Sequence, residues 1–190
     1  GYGYLEVAED AGHLALRFPV VAKIDHPDFL HKADVGGVRL NISSPAELQK
    51  TAEAWFARFP GLRGILVQEQ ISGKTELILG GVKDPATGHG VLVGMGGTSV
   101  EVIKDIAFGH VPAERSHIKQ MIQSLREYPV LKGYRGAEGV DLNQLEDAVA
   151  GVNQLLLDFP EIEELDINPL IFDEREKRFI GADARIKINR

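Results

Sequence analysis

PVVAKIDHPDFLHKADVGGVRLNI, residues 19–42, reads as two strands joined by a connection too long to be idle. Residues 19–24 form an apolar run broken by Lys23, and residues 38–42 place Val38, Leu40 and Ile42 on one face. Between them, residues 25–37 carry a histidine, a lysine and two adjacent glycines. Compact domains keep so long a structureless connection chiefly where it binds something or is disordered. Flanked by Val21, Ala22 and Ile24, Lys23 can lay its stem along apolar surface and deliver its ammonium to one point. Taken alone it would be a snorkelling edge lysine. Together with Lys32 and Arg39, however, it surrounds Gly36 and Gly37, whose missing β-carbons let backbone N–H groups approach an anion. In a chain of net charge −7 such a local cation cluster reads as a phosphate site.

The rest of the chain narrows the setting. Its 190 residues, 44% hydrophobic, can build one substantial core or two small lobes. The acidic balance repels nucleic acid and anionic membranes, so neither is expected as a partner. The absence of cysteine excludes disulfides, thiolate nucleophiles and zinc knuckles, and suits a reducing compartment. No apolar run approaches the ~18 residues of a membrane span, and the start lacks the regions of a signal peptide, so a cytoplasmic protein is expected. The opening without a methionine suggests a piece excised from something longer. Neither a P-loop nor the dinucleotide glycine motif is present.

Periodicity supplies the other elements. Val7, Ala11, Leu14 and Phe18 recur at helical spacing, which predicts a helix over residues 6–18 that ends before Pro19. Ser44, Pro45 and Glu47 make a helix start, followed by the stripe Leu48, Ala52, Trp55, Phe56 and Phe59, with Trp55 in the core. Residues 64–71, 75–82, 90–95 and 98–103 read as successive strands. Two helices follow, one lined by Ile118, Met121, Ile122 and Leu125. The other is capped by Asp141 with Gln144 and lined by Leu145, Val149, Val152, Leu156 and Phe159. This mixed order predicts an α+β fold of two lobes.

The chain closes as a hairpin around residues 173–178. A turn centred on Arg175 and Glu176 pairs Phe172 with Phe179 and Asn168 with Asp183, so that a carboxamide and a carboxylate share a face. Those oxygens suit magnesium, which keeps several waters and takes its other ligands from phosphates. Without such a ligand, Asn168 would merely shape the turn before Pro169 and Asp183 would be a surface residue. The pairs GMGG (94–97, followed by Glu101 and Asp105) and GYRG (133–136, carrying Arg135) are weak signals, each compatible with a turn. His13, His26, His89, His110 and His117 show no metal-ligand spacing and are given no role.

Read together and in order, HKADVGGV, the stretch from ILVQEQ to IKD, GYRG, and ELDINPLIF with GADARI resemble the ATP-grasp domain of nucleoside-diphosphate-forming acyl-CoA synthetases. The resemblance runs from Phe18 to Ile188. The β subunit of succinyl-CoA synthetase shows a looser version of the same layout, and the opening of the domain reads as truncated. The resemblance implies mainly antiparallel sheets in a smaller lobe (about 18–67) and a larger one (68–188, with the metal site) that enclose ATP or ADP. Lys23 would touch the phosphates, and the loop with Lys32, Gly36, Gly37 and Val38 would cover them. Gln68, Glu69, Gln70 and Ile71 would form the hinge that reads the adenine edge, with Glu76 near the ribose or phosphates. Asn168 and Asp183 would hold Mg2+, and Arg135 would steady a phosphate. His31 would be a phosphoryl carrier, its added charge offset by Lys32; its plain alternative is a loop histidine bonded to Asp34 or solvent.

The reaction so implied is acyl-CoA with ADP and phosphate giving acid, CoA and ATP, reversibly through phosphohistidine. It also needs CoA-binding and ligase domains, in the same polypeptide or on a partner subunit, and hence a hetero- or homo-oligomer. Two other classes of reading compete. One is a nucleotide- or acyl-CoA-sensing regulatory domain of a protein acyltransferase, which would have no need for a phosphorylatable histidine or a metal pair. The other is a structural domain with no ligand, which leaves the long loop and its cations to chance.

Overall fold

The computed structural model describes residues 1–29, 32–97, 104–136 and 138–189. The chain divides into two compact units, Gly1–Gln70 and the remainder from Ile71. Each is an antiparallel sheet backed on one face by helices.

In the first unit the four-stranded sheet has the order β1 (Tyr2–Leu5), β4 (Gly64–Glu69), β2 (Val20–Asp25), β3 (Val38–Ile42). Residues 2–5 thus form a strand paired with β4, followed by a 3-10 turn at Ala8–His13, where the apolar spacing predicted one helix. The spacing misleads because Val7 is half exposed; Leu5, Ala8 and Ala11 are buried, while Leu14 and Phe18 pack partly buried against the same core from outside any helix. Helix α1 (Pro45–Arg58) starts as its sequence predicts, with the Ser44 hydroxyl accepting from the Glu47 N–H at 3.3 Å. Glu47 does not reach back to the Ser44 amide. Its carboxylate accepts from the Ser43 amide and hydroxyl, both at 2.9 Å, and from Arg39 at 3.0 Å. Leu48, Ala52, Trp55 and Phe59 pack with Val20, Ala22, Ile24, Ile42, Ile65 and Val67 into the core.

In the second unit the path of the six-stranded sheet is β10 (Ala184–Ile188), β8 (Ile162–Asp173), β5 (Glu76–Asp84), β6 (Gly88–Met95), β7 (Ile106–His110), with β9 (Arg178–Gly181) also on β8. The expected strand over residues 98–103 lies outside the described residues, whereas β7 and the four-residue helix α3 (Tyr128–Leu131) are additions to the sequence reading. Helices α2 (Arg115–Ser124) and α4 (Leu142–Asp158) cover one face. Asp141 caps α4, accepting from the Asn143 and Gln144 amides at 2.9 and 3.2 Å. The apolar residues predicted for these helices are buried, except Phe159, which follows α4 and stays exposed. β8 bears out the hairpin register, pairing Phe172 with Phe179, and the same offset continues on β10, where Ile167 faces Ala184.

Candidate nucleotide and metal-binding residues

On β2 the residues alternate, with Val20, Ala22 and Ile24 buried beneath α1 and Val21, Lys23 and Asp25 half-buried on the opposite face. Lys23 pairs with Leu66 on β4 and Val38 on β3, so these three share the face turned away from α1. Across β4 from Lys23, Tyr4 donates its hydroxyl to Asp25 at 2.8 Å, its ring lying over Gly64, where a Cβ would strike it. Burial and then that hydrogen bond push the Tyr4 hydroxyl up to about 12.

Arg39 is elsewhere. It pairs with Ala22, and therefore points to the α1 face, where it meets Glu47. The expected grouping of Lys23, Lys32 and Arg39 is thus split by strand parity: a bulge at Leu40 and Asn41 resets β3 by one residue, with Asn41 at φ 58°. The bonds that Ser43 makes to Glu47, more than Arg39 itself, hold the Glu47 carboxyl below its usual range.

The glycine pair also serves a different local purpose from the one its sequence suggests. Gly36 sits at φ 69° and donates to the Ala33 carbonyl at 3.0 Å, and Gly37 donates to Lys32 O at 2.7 Å. Both amides are spent inside the loop and are not turned towards a ligand. Gly37 is buried, and a Cβ there would collide with the Ile24 side chain. Its carbonyl in turn accepts from the Ile24 amide at 2.9 Å, which fastens the end of the loop to β2. Lys32 is half-buried at the base of this turn, and His31 lies outside the described residues.

Of the expected hinge, Gln68 is interior to the sheet, between Tyr2 and Val21. The Glu69 and Gln70 amides donate to Gly1 O and Pro19 O, at 3.0 and 2.9 Å. The Glu69 carboxylate accepts from the Arg17 amide and faces its guanidinium at 3.3 Å, the amide being the chief reason its pKa is lowered. Gln70 grips the β3 bulge with both ends of its amide: Oε1 accepts from Asn41 N at 2.7 Å and Nε2 donates to Asn41 Oδ1 at 2.8 Å. No sequence spacing announces that clamp. Ile71, half-buried, opens the second unit.

In the second unit, Gly81 lies against Leu156 of α4, so Gly80 and its partner Asp166 face away from the helices. Glu164 and Arg185 share that face by register. Asn168 and Asp183 are both exposed at the adjoining end, where Asn168 N donates to Asp183 O at 3.2 Å. Burial, then Glu164, raise the Asp166 carboxyl above its usual range, with Arg185 opposing and Asp183 adding to the rise. Asp166 feels the charge of Asp183 and stands two residues before Asn168, and the alternation in ELDIN could have indicated that it shares a strand face with Glu164. Among the described residues no three His, Cys, Asp or Glu side chains group as a metal cage. Two oxygen side chains completed by phosphate and water are nonetheless what magnesium ordinarily takes. Glu76 opens β5, its carbonyl accepting from Gly96 N at 2.7 Å. Gly97, at φ 70°, lies beside its carboxylate. Arg135 occupies a turn at φ 51° between Gly133 and Gly136, with its guanidinium 5.3 Å from the Tyr134 ring centre. Asp105 is structural: it is buried and accepts from the Arg126 and Glu127 amides. Among the described residues no helix is long and apolar enough to cross a membrane.

Comparison with known proteins places this architecture. The family described as ATP-grasp domain matches residues 4–188, a span that begins earlier than the sequence resemblance. The β subunit of acetate–CoA ligase [ADP-forming] I from Pyrococcus furiosus is 34% identical over 175 residues, covering 89% of this chain and 75% of the subunit. The acetate–CoA ligase [ADP-forming] I of Archaeoglobus fulgidus is 36% identical over 89% of this chain, which spans only 26% of that longer ligase. Acetyl-coenzyme A synthetase 1 of Ca. Korarchaeum cryptofilum, solved with coenzyme A and Ca-AMPCP, superposes with a TM-score of 0.88 at 34% identity, over 100% of this chain and 85% of that one. The same synthetase with coenzyme A and Mg-AMPPCP has its phosphohistidine segment pointing towards the nucleotide-binding site. That complex matches with a TM-score of 0.82 at 34% identity, over 97% of this chain and 82% of that one.

Proposed function

Because the chain belongs to the ATP-grasp family, as the domain found in ADP-forming acyl-CoA synthetases, we propose that it performs the nucleotide half of acyl-CoA-driven ATP synthesis. In the whole reaction acyl-CoA, ADP and phosphate give acid, CoA and ATP, with the phosphoryl group carried on histidine. The observation that supports this most is likeness along the whole chain to a synthetase solved with both coenzyme A and a nucleotide analogue. CoA-binding and ligase domains, on the same polypeptide or a partner subunit, would supply the acyl chemistry and the choice of acid. No observation favours the sensing alternative, since the relatives compared are ligases.

Each part has a task that its chemistry suits. Lys23 offers an ammonium on a rigid central strand, a fixed counter-charge for nucleotide phosphates. The turn with Lys32, Gly36, Gly37 and Val38 lies beside it in the same unit and would close over those phosphates. Gln68 to Ile71 would line the adenine edge, with Glu76 nearer the ribose. Asn168 and Asp183 fit magnesium by their donor set, two hard oxygens near the Asp166 carboxyl, which burial and then Glu164 raise above its usual range. Bound there, the ion would neutralise charge on the phosphoryl group in transfer. Arg135 would add a further cation to a phosphate.

Lys23→Ala tests the first assignment. The variant should stay folded, since the side chain is turned away from the core beneath α1, and should bind ADP about tenfold more weakly through loss of a charge-assisted contact. Calorimetry that returned parental ADP affinity from a folded variant would remove Lys23 from the phosphate site.

A further inference from the structure

Three consecutive residues at the end of α1 hold both arms of the β2–β3 loop. On the first arm, buried His26 places Nε2 2.9 Å from the Pro60 carbonyl oxygen, while its Nδ1 accepts from the Asp28 amide at 3.2 Å. Since Nδ1 accepts, Nε2 carries the proton and donates. The His26 ring lies 4.4 Å from that of Phe29, which meets Phe59 edge-on at 5.8 Å. On the second arm, Arg58 Nη2 donates to Val35 O at 3.0 Å, and its guanidinium carbon lies 4.9 Å from the centre of the Phe59 ring. Arg58 therefore joins the arms, touching the second directly and the first through Phe59.

The two grips are unequal. Breaking the His26 anchor would strand matched polar atoms in a buried place, whereas the Arg58–Val35 bond is exposed, and water can take over both of its ends. We propose that Arg58 is a positioning residue for phosphoryl transfer. The first arm stays anchored at Pro60, and the second arm is released and re-seated at Arg58 as the loop changes position. This rests on the function proposed above, under which the loop serves the nucleotide and then a second site.

The test compares the full chain with its Arg58→Ala and Arg58→Lys variants, by hydrogen exchange and by single-turnover transfer from radiolabelled ATP to supplied ligase domains. Arg58→Ala should speed exchange of the Gly36 and Gly37 amides at least ~fivefold and leave residues 26–29 unchanged. Transfer should slow by about tenfold, because the arm must be ordered anew at each turnover, with nucleotide affinity unchanged. Arg58→Lys, which keeps a cation near Phe59 but not the forked donor, should fall between. Unaltered exchange at Gly36 and Gly37, or an equal rise in both arms, would overturn the proposal. Faster exchange with parental transfer would overturn the positioning role. If the parent itself transferred nothing, the proposed function would fail with that role, and exchange would still decide whether Arg58 holds the second arm.

Discussion

His31→Ala is expected to stop nucleotide turnover, by about a thousandfold or more, while ATP binding persists. A neutral imidazole is an effective nucleophile near pH 7, and His31 is the one imidazole in the stretch between Asp28 and Val38. Fixed on a strand, the imidazole could serve one site. On the proposed reading, a connection fastened at Gly37 and at His26 would let it serve the nucleotide and then a phosphohistidine of the ligase domain, with Lys32 offsetting the charge it would gain. The measurement supplies the missing domains and follows label from ATP. Lost turnover should accompany intact ATP binding and intact phosphorylation of the ligase domain by acyl-CoA and phosphate. Full turnover by the variant would leave His31 an ordinary loop residue.

Asp183→Asn should abolish the tightening of nucleotide binding by magnesium, a loss of about tenfold or more, and spare the metal-free affinity. The substitution is a clean one. Asp183 Oδ1 accepts from the Ala184 amide at 3.0 Å, and an asparagine oxygen can accept that same bond, so the change is chiefly one of charge. Titrating ATP into both proteins with and without magnesium gives the comparison. Equal magnesium dependence would withdraw Asn168 and Asp183 as ligands.

Signals that act over a few residues were the legible ones. The Ser44 cap, the Asp141 cap and the hairpin register of β8 each follow from spacing alone, and the structure keeps all three. The front of the chain misled because Val7, Ala11, Leu14 and Phe18 mimic a helical stripe over residues 6–18, where the structure has a 3-10 turn at Ala8–His13. The strand before it, residues 2–5, was not read at all, because it is decided by the distant strand β4 on which it pairs. Arg39 misled for a similar reason: the bulge at Asn41 reverses its face, and the Gln70 clamp on that bulge comes from a residue far along the sequence. Gly36 and Gly37 were recognisable as special positions, but their use in closing the turn and seating it on Ile24 depends on tertiary contact. Asp166 was legible in principle from period-two alternation.

The most direct test of the nucleotide assignment is calorimetric titration of the unaltered chain with ADP and with ATP, each with and without magnesium. The account predicts one site for either nucleotide, tightened by magnesium about tenfold or more. Failure of both nucleotides to bind at millimolar concentration in the presence of magnesium would contradict it.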